Sequence, residues 1–258
     1  MSRIAILSDI HGNLPALESV LDDARRVGVD RFVCLGDTVG YGASSAECID
    51  RIHGAGAQCV MGNHDVAIQR VREVGRGGMA AGWERSGYAA GLIHAAETLG
   101  DERSSWLAEL PYTLKIPGAL VAHANYHSPE SFSYITDPES AAPTLGKLDR
   151  ESGLTGFFGH THIQEVFPDP VGGVEWLDGM RFQIPADAPC VVMVDSVGQP
   201  RHSSDLRAAW VLWDPEQRIV ELRKTNYPRL QAARDIILAG LPLESAMKLL
   251  SYEEAAFL

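Results

Sequence analysis

Five short segments of the chain concentrate His, Asp and Asn beside glycine or another small residue: SDIHGN at 8–13, LGDTVGYG at 35–42, MGNHD at 61–65, VAHAN at 121–125 and FGHTH at 158–162. Nitrogen and oxygen donors, next to backbone that can approach closely, are what a divalent-cation site needs. Two pairs separated by one residue, Asp9-x-His11 and His160-x-His162, place both side chains on the same side of an extended segment, so each pair can converge on one centre. Taken singly, such a pair is a capping aspartate or a set of surface histidines. Taken together they favour a shared centre, because five of the nine histidines fall in these segments. No cysteine lies within them. The mixed N/O donor set suits Mn, Fe, Zn, Ni or Mg better than a thiolate zinc site.

The elements that must position these groups can be read from periodicity. Arg3 to Leu7 is a short apolar strand, and Asn13 can cap a helix in which Leu14, Leu17, Val20, Leu21, Ala24 and Val27 follow helical spacing up to Gly28. A second strand at 31–35 is followed by a helix opened by Ser44 or Ser45 and ended by Gly54, and a third strand spans 58–61. This β-α-β-α-β order implies parallel strands with right-handed crossovers, and the polar segments fall at strand carboxyl ends, where α/β folds gather ligands. The stretch from about 66 to 110 is helical with an interruption at 75–78, and Met79, Trp83, Leu92 and Leu99 are expected in the core. Strands dominate from Tyr112 onward, with a helix near 140–151 and an antiparallel hairpin turning at 214–217. No repeat, linker or low-complexity tract appears. The chain is therefore expected to form one α/β domain, 1–258, closed by a helical tail from about 230 that packs back on the body, a contact with a second copy being the alternative.

Composition limits the partners. With 34 acidic and 22 basic side chains the formal net charge is −12, which argues against long nucleic acids and anionic membranes. No run approaches the ~18 apolar residues that a membrane span requires. The first strand starts at Arg3, leaving no room for an apolar leader, and Cys34, Cys48, Cys59 and Cys190 lack metal-site spacing. A cytoplasmic protein with buried, reduced thiols is expected.

The ordered set D-x-H, GD, GNH, H and GH-x-H resembles the motifs of the calcineurin-like metallophosphoesterases, in particular their small bacterial and archaeal phosphodiesterase branch. The resemblance covers about residues 3–201, and the GDTVGYG loop and SVGQPR at 196–201 point the same way. It implies a four-layer α/β/β/α sandwich of two facing mixed sheets around a dinuclear metal centre. By position, Asp9, His11 and His162 would hold one divalent ion, Asn63, His123 and His160 the second, and Asp37 would bridge both. The implied reaction is hydrolysis of a small phosphorylated substrate by in-line attack of a bridging hydroxide between two cations about 4 Å apart. His64 would stabilise transition-state charge or protonate the leaving oxygen; a solvent-exposed loop histidine is the alternative.

Around the centre, Asn13, Tyr41, Asn125 and Arg201 are candidate substrate contacts. Arg201 offers a guanidinium that matches phosphate, although an arginine after a proline turn is as often a surface ion-pair partner. Tyr41, Tyr126 and His127 can stack on a base or aryl group or simply pack in their loops. Asp65 can orient His64 or favour a helix start. Two segments depart from the family pattern: His123-Ala124-Asn125, where relatives carry His-Gly, and the stretch 194–201. Both bear on substrate choice rather than on metal binding. A phosphodiesterase acting on small phosphorylated or nucleotide substrates, dinucleoside polyphosphates among them, is expected. The alternatives are a phosphomonoesterase, weakened as a protein phosphatase because no Asp-Arg follows the GD motif, and a scaffold that has lost its chemistry, against which all ligand positions are filled.

Overall fold

Ile4–Leu7 is buried on both faces, as a strand at the centre of a covered sheet must be. The computed structural model describes residues 3–29, 31–75, 82, 85–150, 155–201 and 204–258. In chain order the elements are β1 (Ile4–Leu7), α1 (Leu14–Arg26), β2 (Arg31–Cys34), α2 (Ser45–Gly54), β3 (Gln58–Cys59), α3 (Asn63–Val74), α4 (Gly87–Thr98), α5 (Gly100–Ala108), β4 (Thr113–Ile116), β5 (Ala119–Ala122), α6 (Pro138–Arg150) and β6 (Thr155–Phe158). They continue with β7 (Glu165–Pro168), β8 (Glu175–Trp176), β9 (Arg181–Gln183), β10 (Cys190–Met193), β11 (Ala208–Asp214), β12 (Ile219–Thr225), α7 (Arg229–Leu238), α8 (Leu243–Met247) and α9 (Tyr252–Ala255).

These strands form a seven-stranded sheet, β3-β2-β1-β11-β12-β9-β8, and a five-stranded sheet, β4-β5-β6-β10-β7. Both are mixed. β1, β2 and β3 run parallel, as the βαβ pattern requires, whereas β11 pairs antiparallel with β1. In the second sheet β5, β6 and β10 form a corresponding parallel triplet. The two sheets face each other across an apolar layer that includes Ile6, Val33, Val121, Phe157, Val192 and Trp213. Helices α1, α7 and α8 cover the outside of the larger sheet through Leu17, Val20, Leu21, Ala233, Ile236 and Ala246. α6 covers the smaller one through Ala141 and Leu148, which completes the α/β/β/α order.

Local chemistry accounts for most boundaries. The Asn13 side chain accepts from the Ala16 amide at 3.2 Å and so caps α1. The 214–217 turn joins β11 and β12 as an antiparallel hairpin in register from Ala208↔Thr225 to Asp214↔Ile219. The tail folds back on the body through Ile236, Leu241, Leu249 and Leu250, with Ile237 and Met247 left outward. All four cysteines are buried and unbonded. β3 is shorter than its apolar run because α3 begins at Asn63, inside the MGNHD segment. β7, β8 and β9 carry no sequence signal of comparable strength: β7 and β8 are edge strands without a buried residue, and β9 is three residues long with only Phe182 buried. Leu92 and Leu99 are buried in the packing of α2 to α5, while Met79 and Trp83 lie outside the described residues. Among the described residues no helix is long and apolar enough to cross a membrane.

Candidate metal centre

The carboxyl ends of both parallel triplets meet at one place. β1 delivers Asp9 and His11, β2 delivers Asp37, and β3 delivers Asn63 and His64 on the first turn of α3. From the other sheet β5 delivers His123 and β6 delivers His160 and His162. Their backbone is unusual: Asp9, His11, Asp37, His160 and His162 all adopt positive φ, from 50° to 67°. Non-glycine residues visit this region seldom, and such strain concentrates at functional sites. The motif glycines let segments touch. A Cβ on Gly62 would lie 2.1 Å from Asp37 Oδ1, and one on Gly159 would lie 1.8 Å from Ser8 Oγ.

Three rings are oriented by main-chain carbonyls. Nδ1–H of His11 donates to Val39 O at 3.1 Å, that of His123 to Leu35 O at 2.8 Å and that of His162 to Gln199 O at 2.6 Å. Because a carbonyl only accepts, each ring must carry its hydrogen on Nδ1 and turn Nε2 inward. There His11 Nε2 and His162 Nε2 stand 3.1 Å apart, and His162 Nε2 is 3.2 Å from Asp9 Oδ1. His123 Nε2 is 3.0 Å from Asn63 Oδ1, 3.2 Å from His160 Nδ1 and 3.4 Å from Asp37 Oδ2. Asp37 Oδ2 also lies 3.8 Å from His11 Nε2, so its carboxylate faces both sets of donors.

Such a concentration of acceptors is tolerated only if protons or cations lie among them. Asp9 makes the point most clearly: its Oδ2 accepts from Ser8 Oγ at 2.5 Å and from the His160 amide at 2.9 Å, whereas its Oδ1, fully buried, has no hydrogen-bond donor among the described residues. An orphaned buried carboxylate oxygen aimed at imidazole nitrogens fits a cation. Asp9, His11 and His162 would hold one ion, Asp37, His123 and His160 with Asn63 Oδ1 the other, and the ligand atoms of each His/Asp triplet lie within 4.8 Å of one another.

The electrostatics agree. Burial would raise both carboxyl groups, but His162, with His123 and His11, holds Asp9 well below the ordinary carboxylate range, and His123 with His64 and His11 does the same for Asp37. Burial and the charge of His123 hold His160 down at about 4, so this ring offers a free lone pair at neutral pH. His123 goes the other way: against its burial, Asp37 and Asp9 raise it to about 10. In the metal-free protein a proton therefore sits on His123 between the carboxylates. The sign follows: a cation must displace that proton, so affinity rises with pH toward about 10, close to tenfold per unit for one proton. Calorimetric titration with manganese at pH 7.5, in buffers of different ionisation enthalpy, is expected to show release of about one proton per chain; no release would contradict this arrangement.

His64 lies beside the ligands. Its amide donates to Asp37 Oδ1 at 2.8 Å, its Nε2 is 3.9 Å from Asp37 Oδ2, and it is 3% exposed, so the solvent-exposed alternative is excluded. Its Nδ1 is buried without a hydrogen-bond partner among the described residues. Asp65 does not orient this ring. Its carboxylate accepts the amides of Asp37, Thr38 and Gly62 at 2.8, 3.2 and 3.0 Å, fixing the GD turn against the α3 terminus. Burial, with the nearby Asp37, pushes Asp65 up to about 7.

The four candidate substrate contacts separate into two kinds. Asn13 and Asn125 are buried and spend their amides on structure: Asn13 Nδ2 donates to Gly198 O at 2.9 Å, while Asn125 bridges its own loop, donating to Ser133 O at 3.1 Å and accepting from the Ser128 amide at 2.9 Å. Tyr41 is half-buried and Arg201 is exposed. Tyr41 packs edge-on against His11, 4.8 Å between ring centres, and Arg201 donates to Thr161 O, between the two ligands of the last motif. Tyr126 is buried with the Lys147 ammonium over its ring at 4.0 Å, and His127 bonds Thr144, so neither takes a stacking role. The segment 196–199 supports ligands from behind: the amides of Val197 and Gly198 donate to Ser8 O and Asp9 O, and Gln199 O orients His162. Sequence reasoning could not find these carbonyls, which have no side-chain signal. It also passed over Tyr88, Phe132 and Tyr134, whose rings contact His64, His123 and His160. Two aromatics alternating in the serine-rich stretch SFSY were the available clue.

The calcineurin-like phosphoesterase family profile matches residues 2–164 of the chain. An uncharacterised protein of Methanocaldococcus jannaschii, MJ0912, is 29% identical over 245 residues, 93% of this chain and 94% of that one. The crystal structure of a metallophosphoesterase from Sphaerobacter thermophilus superposes with a TM-score of 0.76 at 28% identity, covering 96% and 98% of the two chains. That of the hypothetical protein PH1004 from Pyrococcus horikoshii OT3 shares the fold, with a TM-score of 0.74 at 18% identity over 97% and 98%. With the ligand geometry and the profile match in agreement, the chain belongs to the calcineurin-like phosphoesterase family.

Proposed function

We propose that this protein hydrolyses small phosphodiesters at a two-cation centre. The observation that carries the hydrolase reading is the donor set itself: two groups of buried N/O ligands that meet at the Asp37 carboxylate, with Asp9 Oδ1 left unsatisfied. Two divalent ions bound there would supply Lewis acidity, neutralising phosphate oxygens and making water nucleophilic at neutral pH. The chain's own residues do the rest. His64, held at the start of α3 by its amide bond to Asp37, faces the centre and can present a proton to a leaving oxygen. Arg201, anchored to Thr161 O, offers its guanidinium to a non-bridging phosphate oxygen.

The rim favours a diester. Tyr41, Tyr88, Phe132 and Tyr134 surround the ligands with aromatic surface, and Arg201 adds one guanidinium. A monoester dianion gains little from such walls, whereas a diester monoanion brings a second organic arm to contact them. The globally acidic surface, formal charge −12, fits a small substrate better than a long polyanion. Purified protein supplied with manganese is expected to release p-nitrophenol from bis-p-nitrophenyl phosphate at least about tenfold faster than from p-nitrophenyl phosphate at equal concentration. The reverse order would make it a monoesterase. Two bound metals without turnover of either ester would support the scaffold alternative.

A further inference from the structure

Tyr134 is an outlier among the residues around the centre. Its ring is stacked face to face on His160, with centroids 4.1 Å apart and planes 22° from parallel, yet it remains 49% exposed. One face of the phenol thus lies against His160, and about half of the residue remains open to solvent.

The loop that carries it is built to hold it there. Ser133 is fixed by the Asn125 amide, Ile135 is completely buried in the layer under α6, and the Thr136 amide donates to Ser140 Oγ at 3.0 Å. Phe132 adopts φ +49° and places its ring edge-on to His123 at 5.8 Å. The open ring is therefore preorganised, and a ligand stacking on it does not have to order the loop first. The surroundings match a ligand with a planar arm and a phosphate. Tyr41 packs edge-on against His11 on the other side of the centre, and the Arg201 guanidinium is held on Thr161 O, between His160 and His162.

We infer that the exposed face of Tyr134 is a stacking platform for the base of a nucleotide, so that the favoured phosphoesters are nucleotide esters whose phosphate lies over the ligand histidines. This rests on the phosphoester reading of the centre and assigns its substrate class. Base-on-aromatic stacking contributes about 1–3 kcal/mol, which corresponds to roughly 5- to 150-fold in affinity. Its source is the π-face, so phenylalanine or tryptophan serves in place of tyrosine and alanine does not.

The test compares two ligands that share a phosphate and differ in the base. Adenosine 5′-monophosphate and ribose 5-phosphate are titrated calorimetrically into the full-length manganese-loaded protein, into Tyr134→Ala and into Tyr134→Phe. The native protein is expected to bind the nucleotide at least about tenfold more tightly, Tyr134→Phe to keep that ratio and Tyr134→Ala to bring it to within about twofold of unity, with ribose phosphate affinity unchanged. Equal or absent binding of the two by the native protein, or a ratio that survives in Tyr134→Ala, overturns the platform. An equal loss for both ligands in Tyr134→Ala also overturns it, since the ring would then act only by holding His160. A base-dependent ratio in a protein that hydrolyses no ester leaves the platform standing and refutes the hydrolase reading instead.

Discussion

Replacement of Asp37 by asparagine is expected to remove metal and activity together while leaving the fold intact. The fold survives because asparagine keeps an oxygen to accept the His64 amide, now at 2.8 Å, and because the Asp37 and Thr38 amides are held independently by Asp65. The centre fails because Oδ2 is the oxygen presented to both donor sets, 3.4 Å from His123 Nε2 and 3.8 Å from His11 Nε2. Loss of a group that merely orients a ligand costs about 10- to 100-fold, so loss of the charge shared by two ions should exceed about 10²-fold in kcat/KM. Metal analysis after dialysis is expected to fall from two ions per chain to one or none, with an unchanged circular dichroism spectrum. Two retained ions and near-native turnover would show that Asp37 does not bridge.

The second large effect concerns His64, where the metals should stay and the chemistry should suffer. His64→Ala is expected to keep two ions per chain and to lose about 10²-fold or more in kcat on an ester with an alkoxide leaving group. The loss should be smaller on a p-nitrophenyl ester, whose leaving oxygen has little need of a proton. Burial holds the His64 pKa below that of free imidazole, with Asp37 opposing and His123 assisting, so any proton it carries is readily given up. Equal losses on both esters would assign it charge stabilisation rather than proton transfer. A fall in metal content would make it a ligand, consistent with its place in a group with His11 and Asp37.

That these side chains gather at one place was legible because metal chemistry would demand such residue types, and they appear as motifs. Seven residues scattered between positions 9 and 162 could be assembled on paper since each follows the end of an apolar strand. The layer order came with the family resemblance, while β1, β2, α1 and the β11–β12 hairpin were written in their own periodicity and capping. What stayed hidden was work done by groups with no side-chain signal, such as the carbonyls of Leu35, Val39 and Gln199 that aim three rings. Asn13 and Asn125 show the converse limit. An asparagine in a loop next to a ligand has the same signature whether it binds substrate or clamps the backbone, and only the partners of its amide distinguish the two. Tyr126 and Tyr134 make the same point for aromatic residues: the first is buried under Lys147, the second lies open on His160.

The meeting of the two parallel triplets also has a meaning for chain topology. His11 and His162 are separated by 151 positions, as are Asp9 and His160, yet each pair touches. No disulfide links the buried cysteines, so no covalent tie closes that loop. On the chain-entropy account, a crosslink across a loop of such length would deprive the unfolded state of about 5 kcal/mol of freedom. Ions gripped by residues from both ends would act as that crosslink, reversible and governed by pH. Metal affinity and resistance to unfolding then become one linked quantity, and the reaction centre doubles as the clasp that holds the two sheets together.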